Sequence, residues 1–288
     1  MNTPSRPRAT KIICTIGPAT DTSDMLGQLI EAGANVFRLN MSHSKHDWVR
    51  EVVFRIRRKA AELEANVAIL FDLQGPSIRT GDLAEPYHLK KGDTVEIRLG
   101  TAKPELPFST TVNYDGLLQD VQAGHTMVVD NGGILMRIAE VRPDRLICDV
   151  LTEGVFGSRR HINLPGVALR LPALTEKDLA DLAVAVECET DYVAMSFVRD
   201  AAHIAQLREH IDNLGGKAQI VAKIEDQQAV RHIDDIILAA DVIMVARGDL
   251  GIEVSIEELP IIQRRIVRHC HRLGRRCIVA THMLESMI

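Results

Sequence analysis

The sequence lacks the features that direct a chain to a membrane, a secretory route or a nucleic acid. No stretch of about 18 or more apolar residues is present, so we expect no membrane span. The basic start MNTPSRPRATK is not followed by an apolar run, and we expect no secretory signal. A net charge of -5 gives no overall attraction to nucleic acid or to an anionic membrane. We therefore expect a cytoplasmic protein whose phosphate binding, if any, comes from a local cluster.

Cysteine is also sparse, and its spacing forms no recognisable motif. The chain has five cysteines, an odd number, and no pair has C-x-x-C spacing. We interpret them as reduced and mostly buried thiols of a cytosolic protein. With 288 residues, of which 46% are hydrophobic and 25% charged, the chain can bury a large core. No disulfide or metal is therefore needed for stability.

Seven short apolar runs rich in Val and Ile recur along the chain, with amphipathic helical patterns between them. Nearly every position within a run is apolar, which is typical of parallel strands covered on both faces. This alternation of strands and helices is the one that parallel crossover folds require. The runs cover residues 11–17, 34–42, 66–74, 191–199, 219–226, 241–249 and 276–283.

Several of the intervening helices have a recognisable start. Thr22 or Ser23 can cap the first helix, and Asp200 can open a later one. Thr175 begins the sequence T-E-K-D and Ser255 begins S-I-E-E, both of which are capping-box patterns. We therefore predict helices that start just after Thr175 and Ser255.

The alternation of strands and helices is interrupted once, between about residues 82 and 167. The helical period vanishes there, and turn signals such as K-G-D, A-G, N-G-G and R-P-D separate alternating segments such as 94–98 and 135–140. This pattern predicts a small all-β domain inserted into the βα array. The expected division is a discontinuous barrel domain, residues 1–81 and 168–288, around an inserted β-barrel lid domain, residues 82–167.

Polar and charged side chains follow the apolar runs, at the ends where α/β folds handle ligands. Each has an ordinary explanation when taken alone. Arg38 could be a surface residue, Lys223 and Glu225 an exposed charge pair, and Asp249 a helix cap. Seven consecutive strand ends with such groups are harder to explain by solvation. Cations together with carboxylates suit a divalent metal and a phosphorylated anion.

An ordered series of motifs along nearly the whole chain resembles that of the pyruvate kinases. The motifs are K-I-I-C-T-I-G-P-A-T, R-L-N-M-S-H, D-L-Q-G-P-x-I-R-T-G, N-L-P-G, S-F-V-R, A-K-I-E-D, M-V-A-R-G-D-L-G-I-E and A-T-H-M-L-E-S-M. They occur in the order and at the spacing of that family, with the β insertion in the expected place. The resemblance implies an α/β fold, a TIM-type (β/α) barrel that is incomplete at its C-terminal end.

The resemblance also implies the activity, which is transfer of the phosphoryl group of phosphoenolpyruvate to ADP, and roles for matching residues. Glu225 and Asp249 would bind Mg²⁺ or Mn²⁺. The catalytic residues would be Lys223, Arg38 and Thr281. Lys223 would offset the charge of the phosphoryl group and Arg38 would bind it, whereas Thr281 would lie beside the enolate.

Further roles follow from the same resemblance. Substrate-binding positions would be Ala246, Gly248, Asp249, Thr281 and Ser196. A potassium site would take oxygen ligands from Asn40, Ser42, Asp72 and the carbonyl of Leu73. Nucleotide phosphates would be bound by His43, Arg79 and Arg159.

Several positions depart from the family pattern. Ser77 stands where an acid accompanies a potassium requirement and a Lys replaces the ion, so potassium dependence stays open. R-R-H at 159–161 replaces K-K-G, which keeps the charge but adds the bulk of His161 where glycine stood. Asp226 replaces a common Asn, and His282 replaces a common Gln.

The largest departure is at the C-terminal end, where the family continues with an eighth strand and a regulatory domain. Seven parallel strands leave open edges in a barrel built for eight, so we expect a homo-oligomer or a partner that completes the sheet. Two other functions stay open. One is a non-catalytic or partner-dependent paralogue, and the other is a metal-dependent aldolase acting on a pyruvate enolate.

Overall fold

The computed structural model describes residues 9–281. Strands and helices alternate in the first part of the chain. The first elements are β1 (Ile13–Ile16), α1 (Ser23–Glu31), β2 (Val36–Asn40), α2 (His46–Glu62) and β3 (Ala68–Asp72). The middle of the chain contains β4 (Tyr87–Leu89), β5 (Thr94–Arg98), β6 (Ser109–Thr111), α3 (Leu117–Asp120), β7 (Thr126–Val129), β8 (Ile134–Val141), β9 (Arg145–Val150), β10 (Gly154–Phe156) and β11 (Ile162–Asn163).

Helices and strands alternate again after this β-rich segment. The elements are α4 (Glu176–Glu187), β12 (Tyr192–Met195), α5 (Ala201–Asn213), β13 (Gln219–Ile224), α6 (Gln227–Arg231), α7 (Ile233–Ala239), β14 (Val242–Ala246), α8 (Arg247–Glu253), α9 (Leu259–Arg272) and β15 (Arg276–Ala280). Seven strands, β1–β3 and β12–β15, each fall inside one of the seven predicted apolar runs, and each run is longer than its strand.

Seven of the described strands form one sheet, in the order β1-β2-β3-β12-β13-β14-β15. The pairs β1–β2, β2–β3, β3–β12, β12–β13 and β14–β15 are parallel. Strand β14 is buried at every position, as a strand covered on both faces should be. This is the predicted α/β architecture, an incomplete TIM-type barrel.

The described chain divides into two compact units. The first contains residues 9–75, 174–196 and 204–222, and the second contains residues 76–173, 197–203 and 223–281. The core of the first unit includes the fully buried Phe37, Leu39, Ile69 and Phe71, which lie on β2 and β3. This packing fixes the ends of two neighbouring strands, where several of the predicted site residues lie.

The second unit contains the β-rich segment, whose strands β11-β7-β8-β9-β5-β6 form a six-stranded sheet and whose β10 and β4 form a two-stranded one. The segments 94–98 and 135–140, predicted from alternation, lie in β5 and β8. Ile97, Met136, Ile138 and Cys148 are buried in its core. The exact domain limits, 82 and 167, stay a prediction.

The predicted capping box at Thr175 is confirmed. Thr175 N–H donates to Asp178 Oδ2 at 2.8 Å, and Asp178 N–H donates back to Thr175 Oγ1 at 3.1 Å. The other oxygen of Asp178 accepts from the N–H of Gly75 at 3.0 Å, in the turn after β3. The carboxylate is fully buried, so a single side chain fixes both a helix start and a strand end. Thr22 and Asp200 also accept backbone N–H groups, as predicted.

The helix start predicted at Ser255 is wrong. Helix α9 begins at Leu259, and Pro260 occupies its first turn. A helix started at Ser255 would place Pro260 in its interior, where the missing N–H breaks the hydrogen-bond ladder. Ser255 instead closes a turn, its carbonyl accepting from the N–H groups of Glu258 and Leu259.

Candidate active site

Lys223 and Glu225, near the end of β13, form a buried ion pair in the second unit. Lys223 Nζ lies 2.8 Å from Glu225 Oε1, and the two side chains are 12% and 1% exposed. The second carboxylate oxygen, Oε2, accepts the backbone N–H of Phe197 at 2.7 Å. Phe197 has a φ of 55°, an uncommon conformation for a bulky residue and one often found at functional sites. The alternative of an exposed charge pair is therefore wrong.

Asp249 contributes to the electrostatics of this pair. Burial raises the pKa of Glu225, and the negative charge of Asp249 raises it further. The ammonium of Lys223 and the N–H of Phe197 oppose that increase. Two carboxylates that repel each other beside a single ammonium leave negative charge that a divalent cation would offset.

The start of α8 is connected to the residues that follow β15. Gly248 N–H donates to Thr281 Oγ1 at 3.0 Å, and Arg247 Nε donates to the carbonyl of Ala280 at 3.1 Å. A second Arg247 nitrogen, Nη2, donates to the carbonyl of Thr281. Thr281 has a φ of 58°, so its backbone is strained. The predicted residues Gly248, Asp249 and Thr281 thus lie on connected elements, with Ala246 at the end of β14.

A cavity of about 310 Å³ lies beside Glu225, and all its lining residues belong to the second unit. Leu164, Val167 and Phe197 are among the apolar residues of its wall, whereas Asp226 and Glu253 are carboxylates. Burial, followed by the charge of Asp226, raises the pKa of Glu253 to about 7.

Asp226 has a structural role as well. It is the N-cap of α6, where its Oδ1 accepts the N–H of Ala229 at 2.7 Å. Burial raises the pKa of Asp226, whereas the hydrogen bonds that it accepts from the backbone lower it. A cap of this kind needs an acceptor oxygen, which both Asp and the Asn common in the family provide.

Arg38 and Asp72 form the corresponding ion pair of the first unit. Arg38 Nε and Nη2 lie 2.7 and 2.6 Å from Asp72 Oδ2, and Nη1 donates to Thr15 Oγ1 at 2.8 Å. Asp72 is buried, and Asn40 is the residue paired with it on the neighbouring strand β2. Arg38 is about a quarter exposed, so its guanidinium is oriented by the protein yet reachable from solvent.

The residues predicted to bind potassium lie at the ends of these same neighbouring strands. Asn40 Oδ1 accepts the N–H of Ser42 at 3.1 Å, and the carbonyl of Leu73 accepts the hydroxyl of Ser196 at 2.8 Å. Asn40, Asp72, Ser42 and Leu73 all offer the oxygen atoms that hard cations prefer. Ser196 is buried, and its hydroxyl is bonded within the first unit, to which it belongs.

The three residues predicted to bind the nucleotide are divided between the two units. His43 is exposed in the first unit. In the second unit, Arg79 Nη1 donates to the carbonyl of Arg159 at 3.1 Å. Arg159 forms a two-pronged pair with Asp82, with N–O distances of 2.7 and 2.9 Å.

His161, the bulky replacement for a family glycine, packs against Phe197 with ring centroids 5.8 Å apart. Burial, followed by the positive charge of Arg79, lowers its pKa to about 4, and the charge of Glu225 opposes that change. The imidazole is therefore neutral at physiological pH.

Residues outside the predicted set complete the site. Sequence reasoning assigned no role to Glu253, Asn163 or the N–H of Phe197, although their motifs R-G-D-L-G-I-E, N-L-P-G and S-F-V-R were recognised. His282 lies outside the described residues. Within residues 9–281, no three His, Cys, Asp or Glu side chains cluster so that they could hold a metal ion. None of the helices described here has the length and apolarity to cross a membrane.

Comparisons with known proteins agree with the motif series. A family model described as pyruvate kinase, barrel domain, matches residues 7–288. Plastidial pyruvate kinase 2 of Arabidopsis thaliana is 41% identical over 288 residues, which are 99% of this chain and 49% of that protein. A pyruvate kinase of Clostridium perfringens is 40% identical over 281 residues, which are 97% of this chain and 59% of that protein. The chain therefore spans about half the length of the curated relatives that it matches.

Proposed function

Because this chain belongs to the pyruvate kinase family, we propose that it contributes the site that transfers the phosphoryl group of phosphoenolpyruvate to ADP, giving pyruvate and ATP. The observation that carries the proposal is the arrangement around Glu225. A buried carboxylate is held by Lys223 and by the N–H of Phe197, and the charge of Asp249 acts on it. Phosphoryl transfer needs cations and a metal-binding carboxylate pair at one place.

Glu225 and Asp249 are proposed to hold Mg²⁺ or Mn²⁺. The chemistry of the residues fits the ion, because the charge of Asp249 acts on the buried carboxylate of Glu225 and a single ammonium, that of Lys223, lies beside it. Mg²⁺ is typically bound by one or two carboxylates and completes its shell with water and phosphate oxygens. When bound, the ion supplies Lewis-acid stabilisation of the phosphoryl and enolate oxygens.

Lys223 is proposed to offset the charge of the phosphoryl group during transfer. Its side chain is 12% exposed and its ammonium is held by Glu225, so little reorganisation is needed when charge develops beside it. Thr281 is proposed to lie beside the enolate, where the proton that completes pyruvate is delivered. Its hydroxyl accepts from the N–H of Gly248, so a substrate carboxylate that binds to Gly248 would replace this hydrogen bond.

The remaining substrate positions are proposed from the resemblance. Ala246 ends β14 two residues before Gly248 and is the N-cap of α8, which puts its carbonyl at the start of that helix. Ser196 already donates to the carbonyl of Leu73, so its proposed contribution is to keep that strand end in place beside the substrate.

The proposals for the first unit concern Arg38 and a potassium ion. Arg38 is proposed to bind phosphoryl oxygens through its fork of donors, which Asp72 orients. Asn40, Ser42, Asp72 and the carbonyl of Leu73 are proposed as potassium ligands, which fits their oxygen chemistry. Ser77 leaves open whether activity depends on the ion.

The nucleotide phosphates are proposed to bind near Arg79, Arg159 and His43. Arg159 is well exposed and its partner Asp82 is too, so the pair is weak and can exchange Asp82 for a phosphate. Arg79 is held through its contact with the carbonyl of Arg159. An aldolase would have no use for these cations, and the names of the relatives favour the kinase.

A coupled assay for pyruvate tests the proposal directly, with phosphoenolpyruvate, ADP and Mg²⁺ present and K⁺ either added or omitted. We expect the K223M variant to lose roughly 10²- to 10³-fold in rate, because one fixed charge-stabilising donor is removed. The control is K217M, which removes an exposed lysine just before the same strand. Equal rates in both variants and the wild type would reject the assignment of Lys223.

Cytoplasmic localisation stays a proposal. Two of the relatives bear plastidial or chloroplastic names, and another is bacterial. Fractionation of the source cells, with immunodetection of the chain, distinguishes a cytoplasmic from an organellar location.

A further inference from the structure

The loop between β2 and α2, residues 41–45, carries two of the predicted site residues, Ser42 and His43. We name it the β2–α2 loop. Its first residue, Met41, is fully buried, and the backbone N–H of Met41 donates to the carbonyl of Asp72 at 2.9 Å. Because Asp72 ends β3, this hydrogen bond joins the start of the loop to the neighbouring strand end.

Lys177, in the first turn of α4, holds the start of the β2–α2 loop from the other direction. Its Nζ donates to the carbonyl of Met41 at 2.7 Å and to Asp181 Oδ2 at 2.6 Å. The side chain of Lys177 is 42% exposed, whereas Met41 and Asp181 are fully buried. An ammonium has three donors, so it can bridge a carbonyl and a carboxylate at the same time. The path of the loop at Met41 is therefore fixed by a side chain of a different helix.

Asp181 holds the end of the same loop. His46 is the first residue of α2, and its Nε2 donates to Asp181 Oδ1 at 2.7 Å. A carboxylate offers only acceptor oxygens, so the ring nitrogen is the donor in this pair. Each oxygen of one buried carboxylate thus serves one end of the loop, Oδ1 through His46 and Oδ2 through Lys177.

The β2–α2 loop in turn fixes two of the proposed potassium ligands. Met41 lies between Asn40 and Ser42 along the chain, and the N–H of Ser42 donates to Asn40 Oδ1 at 3.1 Å. A displacement of the Met41 carbonyl would therefore move both ligands. Contacts that orient the ligands of a metal ion typically change its affinity by about 10- to 100-fold when they are removed.

Helix α4 also reaches the strand end that carries the other proposed ligands. Asp178 Oδ1 accepts the N–H of Gly75 at 3.0 Å, and Gly75 follows Leu73 by two residues. Lys177, Asp178 and Asp181 all lie in the first two turns of α4. These two turns thus hold the residues that follow β2 as well as those that follow β3.

We propose that Lys177 and Asp181 are positioning residues, which hold the β2–α2 loop so that Asn40 and Ser42 present their oxygen atoms to one monovalent cation of the size of K⁺. The cation clause rests on the proposed function, because it assumes the potassium site. The holding of the loop does not. Lys177 and Asp181 act through the loop and are not themselves ligands, so their loss should weaken cation binding without removing a ligand oxygen.

Amide hydrogen exchange of the full chain, followed by mass spectrometry with fragmentation to resolve the Ser42 amide, tests this proposal. The variant K177M removes the ammonium, K177R keeps a cation, and K217M makes the same change at an exposed lysine of the same unit. The acceptor of the reporter, Asn40 Oδ1, is intact in all three. Without K⁺, exchange at Ser42 should become roughly tenfold faster in K177M. K177R should recover most of the protection, and K217M should differ from the wild type by less than about twofold.

The cation arm is a K⁺ titration of the same exchange rate, with tetramethylammonium chloride keeping the ionic strength constant. In the wild type, K⁺ should slow exchange at Ser42. The midpoint of this titration should rise roughly tenfold or more in K177M, and by less than about threefold in K177R and K217M. The variant D181N removes one of the two carboxylate oxygens and should raise the midpoint in the same direction. The amides of β12, in the same unit, report global stability and should be unaffected in K177M.

Unchanged exchange at Ser42 in K177M would overturn the inference, and so would an equal acceleration in β12, which would mean a global loss of stability. A wild type that responds to K⁺ with the same midpoint as K177M would overturn the cation clause. A wild type without any response would overturn that clause too, and calorimetric titration with K⁺ then decides whether the proposed potassium site itself fails. The comparison without K⁺ still decides whether Lys177 holds the loop.

Discussion

Replacing His161 by Phe should remove a specific acid sensitivity of this fold. The imidazole packs against Phe197 and is buried, and its pKa is about 4 rather than the ordinary 6.5. Burial is the main cause, and the positive charge of Arg79 adds to it. Phe keeps an aromatic ring of similar size in the same place but binds no proton, so H161F isolates the ionisation from the packing.

The size of the effect follows from the two pKa values. Between pH 6.5 and 4 the unfolded chain binds a proton at this position and the folded chain does not, so stability falls as the pH falls. Each pKa unit corresponds to about 1.36 kcal/mol, so the wild type should lose about 2 kcal/mol from this group by pH 5 and about 3 kcal/mol by pH 4. Above pH 6.5 the group contributes nothing to the pH dependence.

The direct assay is NMR titration of the histidine ring protons, in which the resonance missing from H161F belongs to His161. We expect that resonance to titrate near pH 4. Urea denaturation of both proteins at pH 7 and pH 5 supplies the second measurement, and the difference in unfolding free energy should grow by about 2 kcal/mol in favour of H161F. A His161 resonance that titrates near 6.5, or parallel pH profiles of the two proteins, would refute this reasoning.

Two further predictions concern stability. The variant R145M should destabilise the β-rich segment by about 3 kcal/mol, the low end for breaking a buried pair, because it removes the guanidinium 2.8 Å from the buried Glu96 while Arg98 Nε stays at 3.9 Å. The double variant R145M/E96M should recover part of that loss in urea denaturation. Recovery of nothing would contradict the pairing. The variant T175A should lower the free energy of unfolding by about 1 kcal/mol, because it removes the capping box of α4. The variant S255A should lower it by less than about 0.5 kcal/mol, because α9 does not start at Ser255. Equal losses of stability in thermal unfolding of the two variants would contradict the position of the α9 start.

Much of the fold could be predicted because its determinants are local. Runs such as V-I-M-V-A need cover on both faces and therefore predict the buried β14. The T-E-K-D pattern predicts the capping box at Thr175, because both of its partners lie within four residues. The same pattern failed at Ser255, since Pro260 dictates the helix start through its missing N–H. That signal was present in the sequence and outweighs the capping pattern.

The candidate site was predictable only in part. Lys223 and Glu225 are two residues apart, at and just after the end of β13, so their pairing could be inferred from the sequence. The support for Glu225 comes from a backbone N–H of Phe197, and a backbone donor has no sequence signature. Glu253 and Asn163 are 90 residues apart, and only the fold brings both to the wall of one cavity. The sequence shows His161 only as added bulk where the family has glycine, whereas its buried, neutral state depends on Arg79 and Phe197.

The central claim is that Glu225 and Asp249 share one divalent ion, and Mn²⁺ binding followed by electron paramagnetic resonance tests it most directly. We expect one bound ion per chain, an affinity weakened roughly 10- to 100-fold or more in E225Q and in D249N, and an unchanged affinity in the control E257Q. Because the ligands share the ion, the double variant should not show the summed loss of the single ones. Wild-type affinity in either single variant, or two ions lost independently, would contradict the claim.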